Sequence, residues 1–357
     1  MGGAAGRASF PFRGKVVNLR VVNRKVGKIL KYGLSFVLAA VLLRFAFKGV
    51  AWQDFVAGVK STDFRYVLLL LLCSSTAFVF RALRWRQLLK PFDPEISFWT
   101  VFDGVNIGNL SNCALPFAGE FVRAGVIPSG SRVKYDKSLG TIAMERAWDL
   151  LAIVLIVVGV LVADWKDFGE FFSTKILEPM SDSFFGKGWI LLLSALLVIG
   201  LLVALVLFMR PRSKFFRRLC DAVAGMGQGF VSCMKMKRKG LFILYTVVLW
   251  TLYWLMCVCI SRGLPAASDL KLIDTLFVMA VGNFASVIPV PGGFGAYHYI
   301  VALTLSGLFG LPWETGIVFA TLCHESQAIN MIVFGIGSSI HRAWVLRRRP
   351  APAGPTA

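Results

Sequence analysis

GNLSNCALPFAGEFVRAG, residues 108–125, and GNFASVIPVPGGFGAYHY, residues 282–299, follow one plan: Gly-Asn, a short apolar run, a Pro-x-x-Gly break and a Phe two residues beyond the glycine. Aligning Gly108-Asn109 with Gly282-Asn283, Pro116 with Pro289, Gly119 with Gly292 and Phe121 with Phe294 needs one single-residue gap. Both stretches lie in regions, 98–128 and 273–310, that are otherwise apolar. Proline withholds an N–H and glycine frees φ, so a helix entering either region stops near its middle. Each region therefore reads as two short spans or as one hairpin that enters and leaves a membrane on the same face.

The rest of the chain supplies that membrane setting. Of 357 residues, 57% are hydrophobic and 16% charged, far too apolar a balance for a soluble domain. Continuous apolar runs mark spanning helices at 29–47, 66–83, 139–162, 189–208, 241–260 and 313–340. A net charge of +20 would point to nucleic acid in a soluble protein. Here the basic residues flank the apolar runs, where they fix orientation and meet anionic headgroups, so no nucleic-acid partner is expected. The seven cysteines form no CxxC pair, and none falls in a loop placed outside; no disulfide framework is expected. The basic N-terminus reads as a membrane-flanking tail, and the first apolar run, which holds Arg44, as a retained helix.

Charge then orders the segments. With a cytoplasmic N-terminus and both broken regions folded as hairpins, about 29 of the lysines and arginines fall on the cytoplasmic side. The longest outer loop is acidic, and the longest inner one carries RPRSKFFRRL and KMKRKG. The expected fold is an all-α, polytopic integral membrane protein with six full spans and two opposed re-entrant helical hairpins in an inverted repeat. Its parts are a basic cytoplasmic tail (1–28), membrane repeat 1 (29–163), an acidic outer loop (164–188), an inverted membrane repeat 2 (189–340) and a basic, Pro-rich cytoplasmic tail (341–357). Inverted repeats with broken helices are the architecture of secondary transporters. The expected location is the cell inner membrane, with both termini cytoplasmic.

Several polar residues are costly to bury. Glu145, Arg146 and Asp149 sit in TIAMERAWDLLAIVL, roughly 10–16 Å into a core about 30 Å thick. Glu145 and Asp149 share a helix face with Thr141, and Arg146 reaches Asp149 at i,i+3. They must be paired, protonated or bathed in a cavity, as a structural ion pair or as a transport group. Glu120 and Arg123 follow the first break, where a half-helix N-terminus with free N–H groups suits a phosphate oxygen and Glu120 would hold Arg123 or shuttle a proton. At the cytoplasmic end of the second span, Arg81 and Arg84 with Trp85 read as interfacial anchors or as a guide for a lipid headgroup. In the last span His324, Gln327 and Asn330 form one polar stripe, with Glu325 about 100° away. A zinc site there needs a third ligand such as His298, whose spacing nothing specifies, so no metal, cofactor or catalytic residue is expected.

RALRW, GNLSNCALPFAGEFVRAG, MERAWDL and PVPGGFGAYH, in that order, resemble the lysylphosphatidylglycerol synthase transmembrane, or flippase-like, family, the membrane part of the bacterial multiple peptide resistance factor. The likeness covers roughly residues 28–342. It implies a protein that moves a lipid or lipid-linked headgroup between leaflets, without the aminoacyl transfer that larger relatives carry on a soluble domain. Arg81, Arg84, Asn109, Pro116, Gly119, Glu120, Arg123, Glu145, Arg146, Asp149, Pro291, Gly292, Gly293, His298, His324 and Glu325 are the candidate translocation residues. Where the family often has an acid after the second Gly-rich break, this chain has Tyr297-His298. The implied partners are membrane lipids, anionic phospholipid or polyprenyl-linked phosphate, and a lipid-modifying enzyme. No P-loop is visible, so direct nucleotide drive is not expected. The competing reading is an intramembrane enzyme, or the membrane subunit of an aminoacyl- or glycosyl-transfer system, with paired carboxylates as acid and base.

Overall fold

The computed structural model describes residues 36–165 and 214–348, with a few isolated positions between them. Every regular element among the described residues is helical. In chain order these are α1 (Phe36–Ala46), α2 (Trp52–Ser61), α3 (Phe64–Leu89), α4 (Phe98–Ala114), α5 (Ala118–Val126), α6 (Tyr135–Ala163), α7 (Lys214–Phe230), α8 (Lys239–Gly263), α9 (Leu272–Asn283), α10 (Ala296–Phe309) and α11 (Trp313–Arg347).

Four of them, α3, α6, α8 and α11, are long and apolar enough to cross a bilayer. They contain the expected spans 66–83, 139–162, 241–260 and 313–340 and run past them. Local chemistry sets their ends: Asp63 accepts the Arg65 N–H at the start of α3, and Lys90-Pro91 follows its last turn. The expected span 29–47 is described only as α1, and nearly all of 189–208 lies outside the described residues, as does most of the acidic loop 164–188 and the tail 1–28. Leu68 and Leu72 on α3, Leu151, Leu155 and Val162 on α6, Ile243 and Val247 on α8, and Val333 and Ile340 on α11 are exposed. Apolar faces of that extent on membrane-length helices fit hydrocarbon and not water. The chain is a multi-pass α-helical membrane protein.

Both broken regions fold as helix–turn–helix hairpins. Between α4 and α5, extended Leu115 is followed by Pro116 and by Phe117 at φ 59°, ψ 4°, and the Ala118 N–H closes on the Leu115 carbonyl at 3.2 Å. Between α9 and α10, extended Val290 is followed by Pro291 and by Gly292 at φ 59°, ψ 3°, and the Gly293 N–H closes on the Val290 carbonyl at 3.3 Å. These are the same turn, with proline ahead of a left-handed residue. Pro116 therefore corresponds to Pro291, two residues from the Pro289 that sequence alignment selects, because backbone dihedrals and not the spacing from Gly-Asn define the turn.

The first hairpin closes tightly. A Cβ on Gly119 would overlap the Gly108 carbonyl oxygen, and one on Gly108 would lie 2.9 Å from the Gly119 carbonyl. Only a pair of glycines allows the two helices to approach this closely. The hairpin opens where α3 and α11 end: the Arg132 N–H donates to Asp93, and His341 lies 2.8 Å from Asp103. The second opens where α8 ends and α3 begins: Trp254 donates to the Leu272 carbonyl at 3.0 Å, and Asp63 N–H to the Gly263 carbonyl at 2.8 Å. Entering from opposite ends, the hairpins meet at their turns, where a Cβ on Gly292 would lie 3.7 Å from the Cys113 Cα. Each has its own apolar surround, Trp85, Leu88, Val101, Val105 and Ile127 for the first and Phe277, Met279, Val301, Leu305 and Phe319 for the second.

One expected loop is a helix. Residues 214–230, read as part of a basic cytoplasmic loop, form α7 and pack on α6, with Gly229 against the Lys137 carbonyl and Gly140 against Met226. Gly225 and Gly229, four apart, give this helix its close-approach face.

Candidate functional site

Glu145 on α6 is a fully buried carboxylate, 0% exposed. Its Oε1 lies 3.0 Å from Arg84 Nη2 and 3.5 Å from Arg81 Nε, both on α3, and its Oε2 accepts from Arg123 on α5. Arg84, also fully buried, turns its other terminal nitrogen, Nη1, to Asp149 Oδ1 at 2.6 Å. Arg81 also reaches Asn109 Oδ1 on α4, at 3.4 Å. At the partly exposed rim, Arg146 lies 3.8 Å from Glu120 and 3.7 Å from Asp149. Eight candidates, Arg81, Arg84, Asn109, Glu120, Arg123, Glu145, Arg146 and Asp149, thus form one network across four helices, with Gly119 at the hairpin crossing beside it.

Second-rank contacts hold the network in place. The Trp85 indole N–H donates to Thr141 Oγ1 at 2.9 Å, and the Arg123 guanidinium lies over the Trp85 ring, 4.0 Å from its centroid. Asn112 Oδ1 accepts the Gly119 N–H at 2.7 Å. Thr141 was legible from its i,i+4 spacing to Glu145, and Trp85 from its place beside Arg84. Asn112 sends no sequence signal, since its cap spans seven residues across a turn.

Several sequence expectations change. The α3 helix continues six residues past Leu83 to Leu89, so Arg84 is an interior ion partner and not a snorkelling anchor. Glu120 does not hold Arg123, which turns to Glu145, but faces Arg146. Asp149 pairs chiefly with Arg84 and only loosely with Arg146. The Ala118 and Gly119 N–H groups are already taken by Leu115 and Asn112, so two donors expected to receive a phosphate oxygen are satisfied within the protein.

The network holds more positive groups and unpaired donors than acceptors, with Glu120 Oε2 a buried acceptor that also lacks a partner. Four guanidiniums face three carboxylates, a surplus of one positive charge. Among the described residues, Arg84 Nε, Arg123 Nε and Asn109 Nδ2 are buried with no hydrogen-bond partner, and Arg81 Nε has only its ion contact with Glu145. Buried donors left unpaired are costly, and an incoming acceptor relieves that cost.

Pro116 lies in the first turn, and the remaining candidates gather at the second. His324 Nε2 lies 2.8 Å from the Gly292 carbonyl and its Nδ1 3.2 Å from Glu325 Oε1, which also lies 3.3 Å from His298 Nε2. Glu325, expected to face away from His324, bends back to it. The expected polar stripe divides: Gln327 bonds within its own helix to the Cys323 carbonyl, while Asn330 crosses to Leu71 and Ser75 on α3. The candidates thus fall into two clusters, on either side of the contact between Cys113 and Gly292.

The family model for the lysylphosphatidylglycerol synthase TM region matches residues 32–335. The chain belongs to that family. As the model describes a membrane region and no soluble catalytic domain, membership accounts for the α3–α6 and α8–α11 blocks together. Among curated relatives, glycosyltransferase AglD of Haloferax volcanii is 22% identical, over 73% of this chain and 46% of that protein; the chain spans about half its length. UPF0104 membrane protein PH1989 of Pyrococcus horikoshii is 24% identical, over 82% of this chain and 92% of that protein. No solved structure matches.

Proposed function

We propose that this member of the family is a lipid flippase, carrying a phosphate-bearing headgroup between leaflets while the tails stay in the bilayer. The observation that carries the reading is the buried arginine cluster of Arg81, Arg84 and Arg123 around Glu145, with its surplus positive charge and unpaired N–H donors, on both sides of a broken hairpin. Arginine matches phosphate oxygens in a fork, and Glu145 is the resident anion with which an arriving phosphate competes. Fork geometry suits both an anionic phospholipid and a polyprenyl-linked phosphate. Asp149, Glu120 and Arg146, at the partly exposed rim, are the first groups such a headgroup meets.

In this reading the chain has six spans and two re-entrant hairpins arranged as inverted repeats, 29–163 and 189–340. The first hairpin opens to the cytoplasm, beside the basic α7 and the end of α11, with both termini on that side of the cell inner membrane. Support comes from the shared turn geometry and from the basic residues gathered at one end. His298, His324, Glu325, Pro291, Gly292 and Gly293 then line the opposite half of the path.

The test uses proteoliposomes holding headgroup-labelled phosphatidylglycerol or polyprenyl phosphate. Asp149→Asn and Arg81→Gln, chosen because both side chains are partly exposed, are expected to slow transbilayer movement at least tenfold at equal protein incorporation. Full transport by both variants overturns the assignment of the arginine network to the headgroup. The name of the Haloferax volcanii relative favours one second reading, a membrane module serving a glycosyl-transfer enzyme. Under it, mass spectrometry of the lipids finds a changed headgroup when that enzyme is supplied and no unassisted movement.

A further inference from the structure

His298 on α10 and His324 and Glu325 on α11 each offer one ligand atom, and the three atoms lie within 4.8 Å of one another. We propose that they bind a divalent transition-metal ion of the zinc class, through His298 Nε2, His324 Nδ1 and Glu325 Oε1. The site lies between the second hairpin and α11, apart from the arginine network, and does not depend on the transport reading.

Hydrogen-bond accounting at His324 is the first argument. A backbone carbonyl only accepts, so the 2.8 Å contact from His324 Nε2 to the Gly292 oxygen assigns the ring proton to Nε2. Neutral His324 then presents a bare lone pair at Nδ1, 3.2 Å from Glu325 Oε1, which is itself an acceptor. Two acceptors facing each other at that distance repel unless a cation lies between them. His298 adds a third donor atom: it is 1% exposed, and its Nε2 lies 3.3 Å from the same carboxylate oxygen, while its Nδ1 has no partner.

Geometry is the second. A tetrahedral ion with bonds near 2.1 Å holds neighbouring ligand atoms about 3.4 Å apart. The two His–Glu edges measure 3.2 and 3.3 Å. Donation of the second imidazole N–H to a backbone carbonyl is the usual outer-shell support of a metal-bound histidine, and Gly292 supplies it. Phe294, Tyr297 and Phe47 surround the two imidazoles, with ring centroids 5.1, 5.2 and 6.1 Å away, so the ligands sit in a mostly apolar shell. Two imidazoles and one carboxylate select zinc, copper or nickel over magnesium or calcium. An ion here ties α10 to α11 at the level of the Pro291-Gly292 turn and leaves one tetrahedral corner for water or a substrate oxygen.

Cobalt reports the geometry directly. Full-length protein in detergent, stripped with EDTA and titrated with Co²⁺, is expected to take up about one equivalent, with the intense visible absorption of tetrahedral cobalt, and to release it to Zn²⁺. His298→Gln and Glu325→Gln are expected to weaken uptake at least about tenfold, while His341→Gln, which changes the remaining histidine of the chain, leaves it intact. Wild-type protein that takes up less than about a tenth of an equivalent overturns the proposal and leaves a proton as the shared cation. Equal uptake by wild type and both ligand variants overturns it as well, by placing the metal on other groups.

Discussion

Glu145 shows what a single buried carboxylate commits its neighbours to. Three arginines converge on it from α3 and α5, Arg84 and Arg123 buried and Arg81 partly exposed. Breaking a buried ion pair from one side costs about 3–5 kcal/mol, because the charge left behind stays buried. Glu145→Gln is therefore expected to lower the thermal melting temperature sharply. The double variant Glu145→Gln/Arg123→Gln, which removes one stranded guanidinium, is expected to recover part of the loss in a thermal-shift assay. Additive losses would show that Arg123 draws its stability from Trp85 and not from Glu145. This is also why Asp149 and Arg81, at the rim, are the better functional probes. The cost of burying Glu145 and Asp149 was legible from their depth in an apolar run. Of their partners, i,i+3 spacing disclosed only Arg146 for Asp149; the arginines that reach them from other helices were not legible, because helix rotation decides which side chains meet across the bundle.

At the scale of the element, the two turns solve one backbone problem with different residues. Both hairpins need a left-handed residue after proline, and the second uses Gly292 where the first uses Phe117. A side chain in that region costs about 1–2 kcal/mol, which the first hairpin offsets by the Gly108–Gly119 contact and the Asn112 cap. Phe117→Gly is expected to be tolerated and to raise the melting temperature. Gly292→Ala is expected to lower it, since the new Cβ would also lie 2.8 Å from the Phe294 ring. Loss of stability in Phe117→Gly would mean that the exposed Phe117 side chain is held by a contact the turn geometry does not require. The breaks themselves were readable from Pro and Gly alone. Their correspondence was not, since Pro289 and Pro291 are both available on paper and only φ and ψ choose between them.

For the whole molecule, the consequence that matters is that the hairpins open at opposite ends of the bundle and touch at their tips. Trp99, near the start of α4, and Leu272, which begins α9, are both exposed and mark the two openings. Trp99→Cys and Leu272→Cys, in a background without native cysteines, are expected to react with a membrane-impermeant maleimide from opposite faces of the membrane, Trp99→Cys from the cytoplasm. Labelling of both from one face would rule out opposed hairpins. Helix α7 belongs to the same scale: a stretch rich in Arg and Lys reads as a loop until its Gly225 and Gly229 are seen packed on α6.

By itself the sequence determined the properties that depend on composition and local backbone freedom. These are a multi-pass helical membrane protein, the cores of its long helices, the two places where helices stop, and the residues whose burial needs an explanation. Such properties follow from the length of apolar runs, the φ restrictions of Pro and Gly, and the cost of charge in hydrocarbon. Tertiary structure alone decided the partnerships: Arg84 with Asp149, three arginines on Glu145, Pro116 matched to Pro291, and His298 brought to His324 and Glu325 from the neighbouring helix. Those depend on how each helix is rotated and how closely it crosses its neighbour, and residues far apart in the chain are brought within 3.5 Å of one another only by the packing of the whole bundle.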